Sequence, residues 1–471
     1  MATEDVCNGG RIRCHAHIRV FGAERRRTAS AINPAALPAG FGPADLQSAY
    51  GIDPTRLATA AVPVVAITDA FGYPKLEADL AVYRQTYGLP ACTVASGCLK
   101  IVGVNAQGTQ TTTLPPAPPA GDDWTVETAL DVDMVSSACP LCKILVVQGS
   151  SDADTSLDAA QNLAASLGAA VISDSWGSAE QAGEATDLAT ADTMFYNHPG
   201  VAIFVASGDH GWDDTIQTAP KAGDPPLVTG PGYPATSAHT IAVGGTRLVK
   251  AAGTARGWTE TAWAATANAG AGAGGSGCSL SIAKPAYQTA SPCTTKANSD
   301  ISAVADPATG VAVYNTNGTN GGWGIVGGTS AAAPFVAAIF AATGNGTQSS
   351  GKFIADNASK LFDVIGGTNG TCPTGQELLC TAKAGWDGPT GFGTPNVKLL
   401  MPAASGGGNG SGGGSGGGNG NGSGNGGGSS ADGSGGSSDD SSDITGGCAA
   451  GGSGAGLLFG VALLGLRRRR R

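Results

Sequence analysis

One serine lies between a glycine-rich turn and an apolar run, where the start of a helix could present a nucleophile. The stretch is GGTSAAAP, residues 327–334, and the hydroxyl belongs to Ser330. A serine hydroxyl attacks a carbonyl carbon only when a neighbouring base takes its proton. The alternative is a helix N-cap, in which the hydroxyl accepts a backbone hydrogen bond, and for an isolated serine this is the commoner role.

The sequence context offers no histidine as the base for Ser330. The pattern Gly-x-Ser-x-Gly is absent, because Ala331 and Ala332 follow the serine. Subtilisins have a similar GTS turn, but they pair it with an aspartate and with a histidine in an HGT context. The chain has 5 histidines, and none lies in such a context. They are His15, His17, His198, His210 and His239.

Two carboxylates could replace the histidine. Glu127 and Asp131 are spaced i and i+4 in DWTVETALDVDM, so on a helix both project from one face. The apolar neighbours predict that this face is partly buried. Two buried carboxyls cannot both ionise cheaply, so one should keep its proton to higher pH and serve as a base for serine in acid. On an exposed helix the same pair would only be solvated.

A third carboxyl closes an apolar strand in a glycine turn. Asp209 lies in VASGDHG, and a protonated carboxyl there could donate a hydrogen bond to a developing oxyanion. Taken alone, an Asx-turn that ends the strand is the commoner interpretation. His210 follows directly, and a charged imidazole at that position would oppose protonation of the aspartate.

In this chain order, the acidic positions and the serine resemble the sedolisin family of serine-carboxyl peptidases. The resemblance covers about residues 41–400 and includes AFGYPKLEADLAVYRQTYGLP, SDSWGS, YPATSAHTIAVGGT, DISAVADPATGVAVY and GWDGPTGFGTPN. It implies that Ser330 is the nucleophile and Glu127 the general base. Asp131 would orient and tune Glu127, and Asp209 would be the oxyanion-hole acid. The implied function is an acid-active, secreted endopeptidase that acts on proteins or peptides.

Two other functions remain open. One is a tripeptidyl-peptidase, and the other is a catalytically degenerate scaffold that serves as a surface-anchored binding or structural module. Family members usually carry a large N-terminal prodomain, whereas residues 1–33 are expected to be at most a remnant of one. The family also commonly has serine where this chain has His210. The complete set of catalytic positions favours the peptidase.

The resemblance also implies one structural calcium ion near the C-terminal end of the catalytic region. The matching positions are Asp363 and Val364 in FDVIGG and Lys383, Gly385 and Asp387 in KAGWDG. Two carboxylates with backbone carbonyls make an oxygen site of the kind that calcium binds. Without the resemblance, both aspartates would be interpreted as loop residues. Lys383 stands where the family often has glycine, and its ammonium could weaken the site.

Short apolar segments alternate with helical patterns through the middle of the chain. VPVVAITDA, KILVVQGS, AAVISDSWG, VAIFVASGD and TIAVGGT are predicted strands, while LEADLAVYRQTYG and SLDAAQNLAASLG are predicted helices. This alternation predicts an α/β fold with a doubly wound, mainly parallel sheet and helices on both faces. The resemblance makes that fold subtilisin-like. In such sheets, sites lie beyond the carboxyl ends of the strands.

The composition of the 471 residues predicts three regions after the N-terminal segment. Residues 34–404 are expected to form the catalytic domain. Residues 405–447 are a linker of Gly, Ser, Asn and Asp that cannot bury enough apolar surface to fold. Residues 448–471 combine Cys448, an apolar stretch and terminal arginines. This arrangement resembles the C-terminal sorting signals of myxobacterial surface proteins and predicts attachment to a membrane or cell surface.

Charge and cysteines restrict the partners and the compartment. A formal net charge of −10 argues against nucleic acid as a partner. The protein is expected to be a monomer. The 11 cysteines fall in local couples, which favours disulfides over a zinc site and therefore an extracellular location. No signal peptide is visible at the N-terminus. The pairs expected from proximity are Cys7–Cys14, Cys92–Cys98, Cys139–Cys142, Cys278–Cys293 and Cys372–Cys380, with Cys448 left over.

Overall fold

A computed structural model describes most of the chain up to residue 401. The described residues are 2–7, 12–20, 37–105, 107–213, 230–264, 272–317 and 321–401. They belong to a compact unit that spans Met1–Ser405. The predicted linker, residues 405–447, and the predicted sorting signal, residues 448–471, lie outside the described residues.

Strands and helices alternate along this unit. The strands are β1 (Ala2–Asp5), β2 (Arg13–Cys14), β3 (His17–Val20), β4 (Val64–Ala70), β5 (Leu99–Val104), β6 (Gln110–Thr111), β7 (Lys143–Gly149), β8 (Val171–Asp174), β9 (Trp176–Ala179), β10 (Ala202–Ala206), β11 (His210–Trp212), β12 (Gly232–Tyr233), β13 (Ile241–Lys250), β14 (Trp258–Ala262), β15 (Ala273–Ala283), β16 (Thr295–Asn298), β17 (Ile301–Val304), β18 (Val311–Asn315), β19 (Gly322–Gly327), β20 (Leu361–Phe362) and β21 (Thr394–Pro395). The α-helices are α1 (Pro43–Tyr50), α2 (Leu76–Thr86), α3 (Trp124–Ala138), α4 (Asp154–Ser166), α5 (Ala185–Ala191), α6 (Thr329–Ala342), α7 (Lys352–Asp356) and α8 (Val397–Leu400).

A mainly parallel sheet forms the centre of the unit. Its strands follow the order β14-β13-β10-β8-β4-β7-β5-β6, and β17 pairs with β13. The inner pairs are parallel, and the antiparallel pairs with β14 and β6 lie at the two edges. The inner strands are continuous apolar runs because helices cover both faces of the sheet. The register pairs Thr68 with Asp174, so the carboxyl ends of β4 and β8 lie side by side.

The helices that carry the predicted site residues are both wholly buried. Every residue of α3 and of α6 is buried, and the two helices pack against each other. Helix α6 also covers β8, β10 and β13, while α4 packs on β4 and β7. The alanines of TSAAAPFVAAIFAA let α6 approach its neighbours closely. This packing fixes the start of α6 next to α3.

The N-terminal segment contributes to two smaller sheets. Strands β1 and β3 belong to a sheet of order β1-β3-β19-β18, and β2 belongs to a sheet of order β12-β9-β2. The buried side chains of this segment are part of the main hydrophobic core, among them Val6, Ile12 and Ile18. The sequence predicts that residues 1–33 lie outside the catalytic domain, yet the described part of this segment is packed into the same core.

The cysteine pairs expected from proximity along the sequence are confirmed. Five disulfides join Cys7–Cys14, Cys92–Cys98, Cys139–Cys142, Cys278–Cys293 and Cys372–Cys380. Each closes a short local loop. In the described part of the chain, no helix combines the length and the apolar character that a membrane span needs. The apolar segment that follows Cys448 is outside that part.

Candidate active site

The turn before α6 presents Ser330 as the second residue of that helix. Gly328 precedes the helix with φ near 110°, a conformation that residues with a Cβ rarely adopt. A Cβ at Gly328 would lie 2.1 Å from the carbonyl oxygen of His15 and 2.6 Å from Oδ2 of Asp209. Glycine is therefore required at this position, because the turn brings the backbone against the atoms that surround Ser330.

Helix α3 brings Glu127 and Asp131 to the same place. Burial raises the pKa of Glu127 well above its ordinary value; the charge of Asp69 adds to the rise, and the nearby Ser330 hydroxyl opposes it. Burial likewise raises the pKa of Asp131, and the charges of Asp69 and Glu127 add to it. The Ser175 hydroxyl donates to Asp131 Oδ1 at 2.9 Å. The two carboxyls are thus close, buried and reluctant to ionise together.

The Ser330 hydroxyl lies between two acceptors. It donates to the carbonyl oxygen of Ser175 at 3.1 Å, and the carboxyl of Glu127 is beside it. Neither carboxylate oxygen of Glu127 has a hydrogen-bond partner at ordinary geometry among the described residues. A buried polar group without a partner is rare and points to a function. Glu127 is available to accept a proton from the serine.

Asp209 follows β10 and faces the start of α6. Its Oδ1 accepts hydrogen bonds from both the backbone N–H and the hydroxyl of Thr329, each at 2.8 Å. Its Oδ2 lies 3.3 Å from Nε2 of His17. Thr329 therefore fixes one oxygen and leaves the other directed towards the atoms around Ser330.

An imidazole from the N-terminal segment, that of His17, contacts Asp209. His17 Nδ1 lies 2.8 Å from Oδ1 of Asp5. Burial alone would lower the pKa of His17, but hydrogen bonds and charges from Asp209 and Asp5 outweigh it and raise the pKa to about 10. The ring of His210 packs against that of His17, with 6.4 Å between ring centres. No spacing in the sequence indicates these contacts.

Two further buried carboxyls lie at the carboxyl ends of β4 and β8. Burial raises the pKa of Asp69 to about 7 and that of Asp174 to about 8. Thr68 donates its hydroxyl to Asp174 at 2.6 Å, and the indole of Trp176 donates to the Thr68 carbonyl at 2.9 Å. The sequence predicts no role for these aspartates, although each closes an apolar strand just as Asp209 does.

The N-terminal segment covers the carboxyls. The sulfurs of Cys7 and Cys14 lie within 4.8 Å of a Glu127 carboxylate oxygen. Because these sulfurs are bonded to each other, they are not metal ligands. Beyond the disulfide, the backbone of His15 reaches Ser330 itself, since the Ser330 N–H donates to the His15 carbonyl oxygen at 3.0 Å.

The residues predicted to bind calcium come together in a separate loop region. Asp363 accepts from the N–H of Gly385 at 3.1 Å, and Asp387 accepts from that of Lys383 at 3.0 Å. Burial raises the pKa of Asp387 to about 7, and the charge of Asp363 adds to the rise. Val364 is buried beside them. Among the described residues, neither aspartate has a lysine or arginine partner, so the donor set fits a hard cation.

Comparisons with known proteins identify relatives of this chain. The model of the Subtilase family matches residues 117–356, about half of the chain. Kumamolisin from Bacillus sp. (strain MN-32) is 28% identical over 395 residues, which are 79% of this chain and 65% of kumamolisin. The chain thus spans less than two thirds of that relative's length.

A solved structure of a related protein is similar to this chain in fold. It is a Pseudomonas sedolisin, a serine-carboxyl proteinase complexed with two molecules of pseudo-iodotyrostatin, and it is 25% identical to this chain. The TM-score is 0.57, with 78% of this chain and 98% of that chain covered. The predicted α/β fold, subtilisin-like with a mainly parallel sheet, is confirmed. The chain belongs to the subtilase family of serine peptidases and is sedolisin-like within it.

Proposed function

We propose that this protein is an acid-active serine-carboxyl endopeptidase that cleaves protein chains through an acyl-enzyme on Ser330. The observation that carries the proposal is the unpartnered, buried carboxyl of Glu127 beside the Ser330 hydroxyl. The likeness to a serine-carboxyl proteinase and to kumamolisin supports it. The five disulfides favour an extracellular enzyme, and surface attachment through residues 448–471 and a monomeric state remain parts of the proposal.

The first step is proton transfer from Ser330 to Glu127. Because Glu127 raises the pKa of Asp131, whereas the nearby Asp131 carboxyl lowers the pKa of Glu127, the pair holds one proton in mild acid while one negative charge remains. The charged member accepts the serine proton as the oxygen attacks the substrate carbonyl. Ser175 holds Asp131 in place through the bond to Oδ1. Asp131 thereby orients and tunes the base.

Asp209 and the start of α6 would stabilise the negative oxygen that forms. The Ser330 N–H is one donor, and a protonated Asp209 carboxyl is the second. The bonds from Thr329 hold Oδ1, while Oδ2 lies 3.3 Å from Nε2 of His17 and faces Gly328 in the turn before Ser330.

One calcium ion would be held by Asp363 and Asp387, with backbone carbonyls of Val364, Lys383 and Gly385 as neutral ligands. The ion would supply positive charge that offsets the repulsion between the two carboxylates. Its role is structural, because the site ties two loop segments together and does not include any of the catalytic positions.

Hydrolysis of denatured haemoglobin or casein across pH tests the proposal. We expect fast cleavage near pH 4, little at pH 8 and no inhibition by pepstatin. Internal fragments in the products would support endopeptidase action, whereas tripeptides released from the N-terminus would support a tripeptidyl-peptidase. Absence of any cleavage that depends on Ser330 would support the binding or structural module instead.

A further inference from the structure

A lysine side chain is buried inside the unit. Lys296 belongs to β16 and is 1% exposed. An ammonium group leaves water at a high cost in free energy unless other hydrogen bonds replace those that it made to water. Asp300, Asp192 and Glu180 act on the ammonium through their charges. The groups that replace its water shell must therefore be found among its direct contacts.

Three backbone carbonyl oxygens surround the ammonium. Nζ of Lys296 donates to the carbonyl oxygen of Ala235 at 3.3 Å, to that of Thr240 at 3.0 Å and also to that of Ser237. A lysine ammonium has three N–H donors, so this set uses all of them. The three carbonyls belong to one loop, residues 234–240, which connects β12 to β13.

The loop turns these carbonyls towards one point. Their dipoles present negative ends to one another, so this convergence is favourable only around a positive charge. Rings of backbone carbonyls replace the hydration shell of potassium in the same manner. Other bonds also shape the loop, because the Thr240 hydroxyl and the Ser237 N–H both donate to the carbonyl oxygen of Pro234 at 2.9 Å.

The strand that carries Lys296 is itself fixed. Strand β16 pairs antiparallel with β15, with Ala297 opposite Cys278. The side chain of Gln288 donates to the Ala297 carbonyl at 2.8 Å and accepts from the Ala297 N–H at 2.9 Å. A disulfide joins Cys278 to Cys293 beside this strand. A fixed strand therefore delivers the ammonium to the point where the carbonyls converge.

We propose that the carbonyl oxygens of Ala235, Ser237 and Thr240 form a monovalent-cation site whose resident cation is the ammonium of Lys296. The site takes a weakly hydrated cation of about the size of potassium or ammonium. In the native chain the tethered ammonium fills it, so folding needs no free ion there. When the lysine amine is removed, the site should bind potassium, ammonium or methylammonium from solution. This inference does not rest on the proposed peptidase function.

The site supports the strand that follows Ser175. Gly232 and Tyr233 of β12 pair with Ala179 and Ser178 of β9, and β12 leads directly into the loop that holds the cation. Ser175 precedes β9, and its carbonyl oxygen accepts from the Ser330 hydroxyl. The cation thus ties β16 to the loop behind β9.

The test removes the ammonium and supplies a substitute in solution. All variants are full chains that also carry Ser330→Ala, which removes the proposed nucleophile. Lys296→Ala leaves room for a small cation and should lower the melting temperature by roughly 5 °C or more. Methylammonium chloride or potassium chloride at about 0.1 M should restore at least half of this loss. Tetramethylammonium chloride at the same concentration should restore none, because its cation is larger and has no N–H.

Two further variants serve as controls. Lys296→Met removes the charge but fills the space, so it should be destabilised without recovery in methylammonium. Lys284→Ala is the matched lysine control, because Nζ of Lys284 donates to a single carbonyl, that of Ser291, at 2.7 Å. It should respond equally to the methylammonium and tetramethylammonium salts.

Equal melting temperatures of Lys296→Ala in methylammonium and tetramethylammonium would overturn the inference. So would the same recovery in Lys296→Met as in Lys296→Ala. If Lys296→Ala does not fold unaided, its refolding yields in the two salts are compared instead, and equal yields would overturn the inference. Because no readout is an activity, each of these results leaves the proposed function unchanged.

Discussion

Ser330 and Glu127 can contribute to catalysis only together, because the proton that leaves one is the proton that the other accepts. Ser330→Ala and Glu127→Gln should each abolish turnover with folding intact, and the double variant should be no slower than either single one. Hydrolysis rates of the three variants in acid give the answer. If the rate losses of the two single variants add up in the double variant, Glu127 serves binding or structure instead.

The proposed role of Asp209 as an oxyanion donor can be tested by one substitution that keeps a donor group and one that removes it. Asp209→Asn keeps a group that can donate to the oxyanion without titrating, while Asp209→Ala removes it. The alanine variant should lose about 10²–10³ in rate, as other lost oxyanion donors do. The asparagine variant should retain more activity than the alanine variant. Equal losses in the two variants would make Asp209 a turn residue.

At the scale of single residues, the sequence identified the groups that carry a recognisable motif and missed their partners. Ser330, Glu127, Asp131 and Asp209 are proposed from their context, and the structure brings them together. His17 could not be proposed in the same way, because its contact with Asp209 depends on the path of a distant segment. Contacts of this kind are decided by tertiary packing and leave no local pattern.

The turn between β19 and α6 makes a prediction at the scale of elements. Gly328→Ala should reduce turnover by about 10² or more, because the new methyl group would collide with Asp209 Oδ2 and with the carbonyl oxygen of His15 beside Ser330. Gly344→Ala is the matched control: Gly344 has φ near 75° just beyond the other end of α6, and a Cβ there would lie 3.5 Å from the nearest side-chain atom. The control should lose about 1 kcal/mol of stability and keep its activity. Similar activities for the two variants would contradict the tight turn.

The two loop segments that would bind calcium, which contain Asp363 and Asp387, give a second prediction at this scale. Chelation should lower the melting temperature more than it lowers the initial rate measured before unfolding, because a ligand that binds only the folded state stabilises it. Asp363→Ala should lower the melting temperature to a similar extent and make it insensitive to chelator. The measurement is thermal unfolding with and without calcium. A melting temperature that ignores both chelator and calcium would argue against the site.

The apolar strands that form the central sheet were predictable because each is a continuous run of valine, isoleucine and alanine. The pairings of β2 with β9 and of β3 with β19 were not predictable from the sequence. These strands are short and mixed in polarity, as HIRV in β3 illustrates, and their partners are far away in sequence. Non-local pairing of short strands depends on the assembled core, so a local pattern cannot indicate it.

For the whole molecule, the buried carboxyls predict stability that declines with rising pH. In the folded chain the pKa of Asp174 is raised from 3.8 to about 8 and that of Asp69 from 3.8 to about 7. The folded state therefore binds protons more tightly than the unfolded state, and stability is lost as pH rises between about 4 and 8. His17, whose pKa is raised from 6.5 to about 10, loses its contribution above about pH 6.5.

The melting temperature of the Ser330→Ala variant, which lacks the proposed nucleophile, should accordingly fall between pH 5 and pH 8. Asp174→Asn, introduced in the same background, should flatten this fall, because the amide does not ionise and still accepts from Thr68. For a large domain, a change of 1 kcal/mol in the free energy of unfolding shifts the melting temperature by about 2 °C. A melting temperature that rises from pH 5 to pH 8 would contradict the burial of these carboxyls.

The path of residues 12–18 over Ser330 has a consequence in terms of effective concentration. Because these residues belong to the same chain, they face the start of α6 as a tethered ligand, at an effective concentration on the order of millimolar for a short tether. An external substrate must compete with that value, so its apparent affinity depends on how often the segment leaves the site.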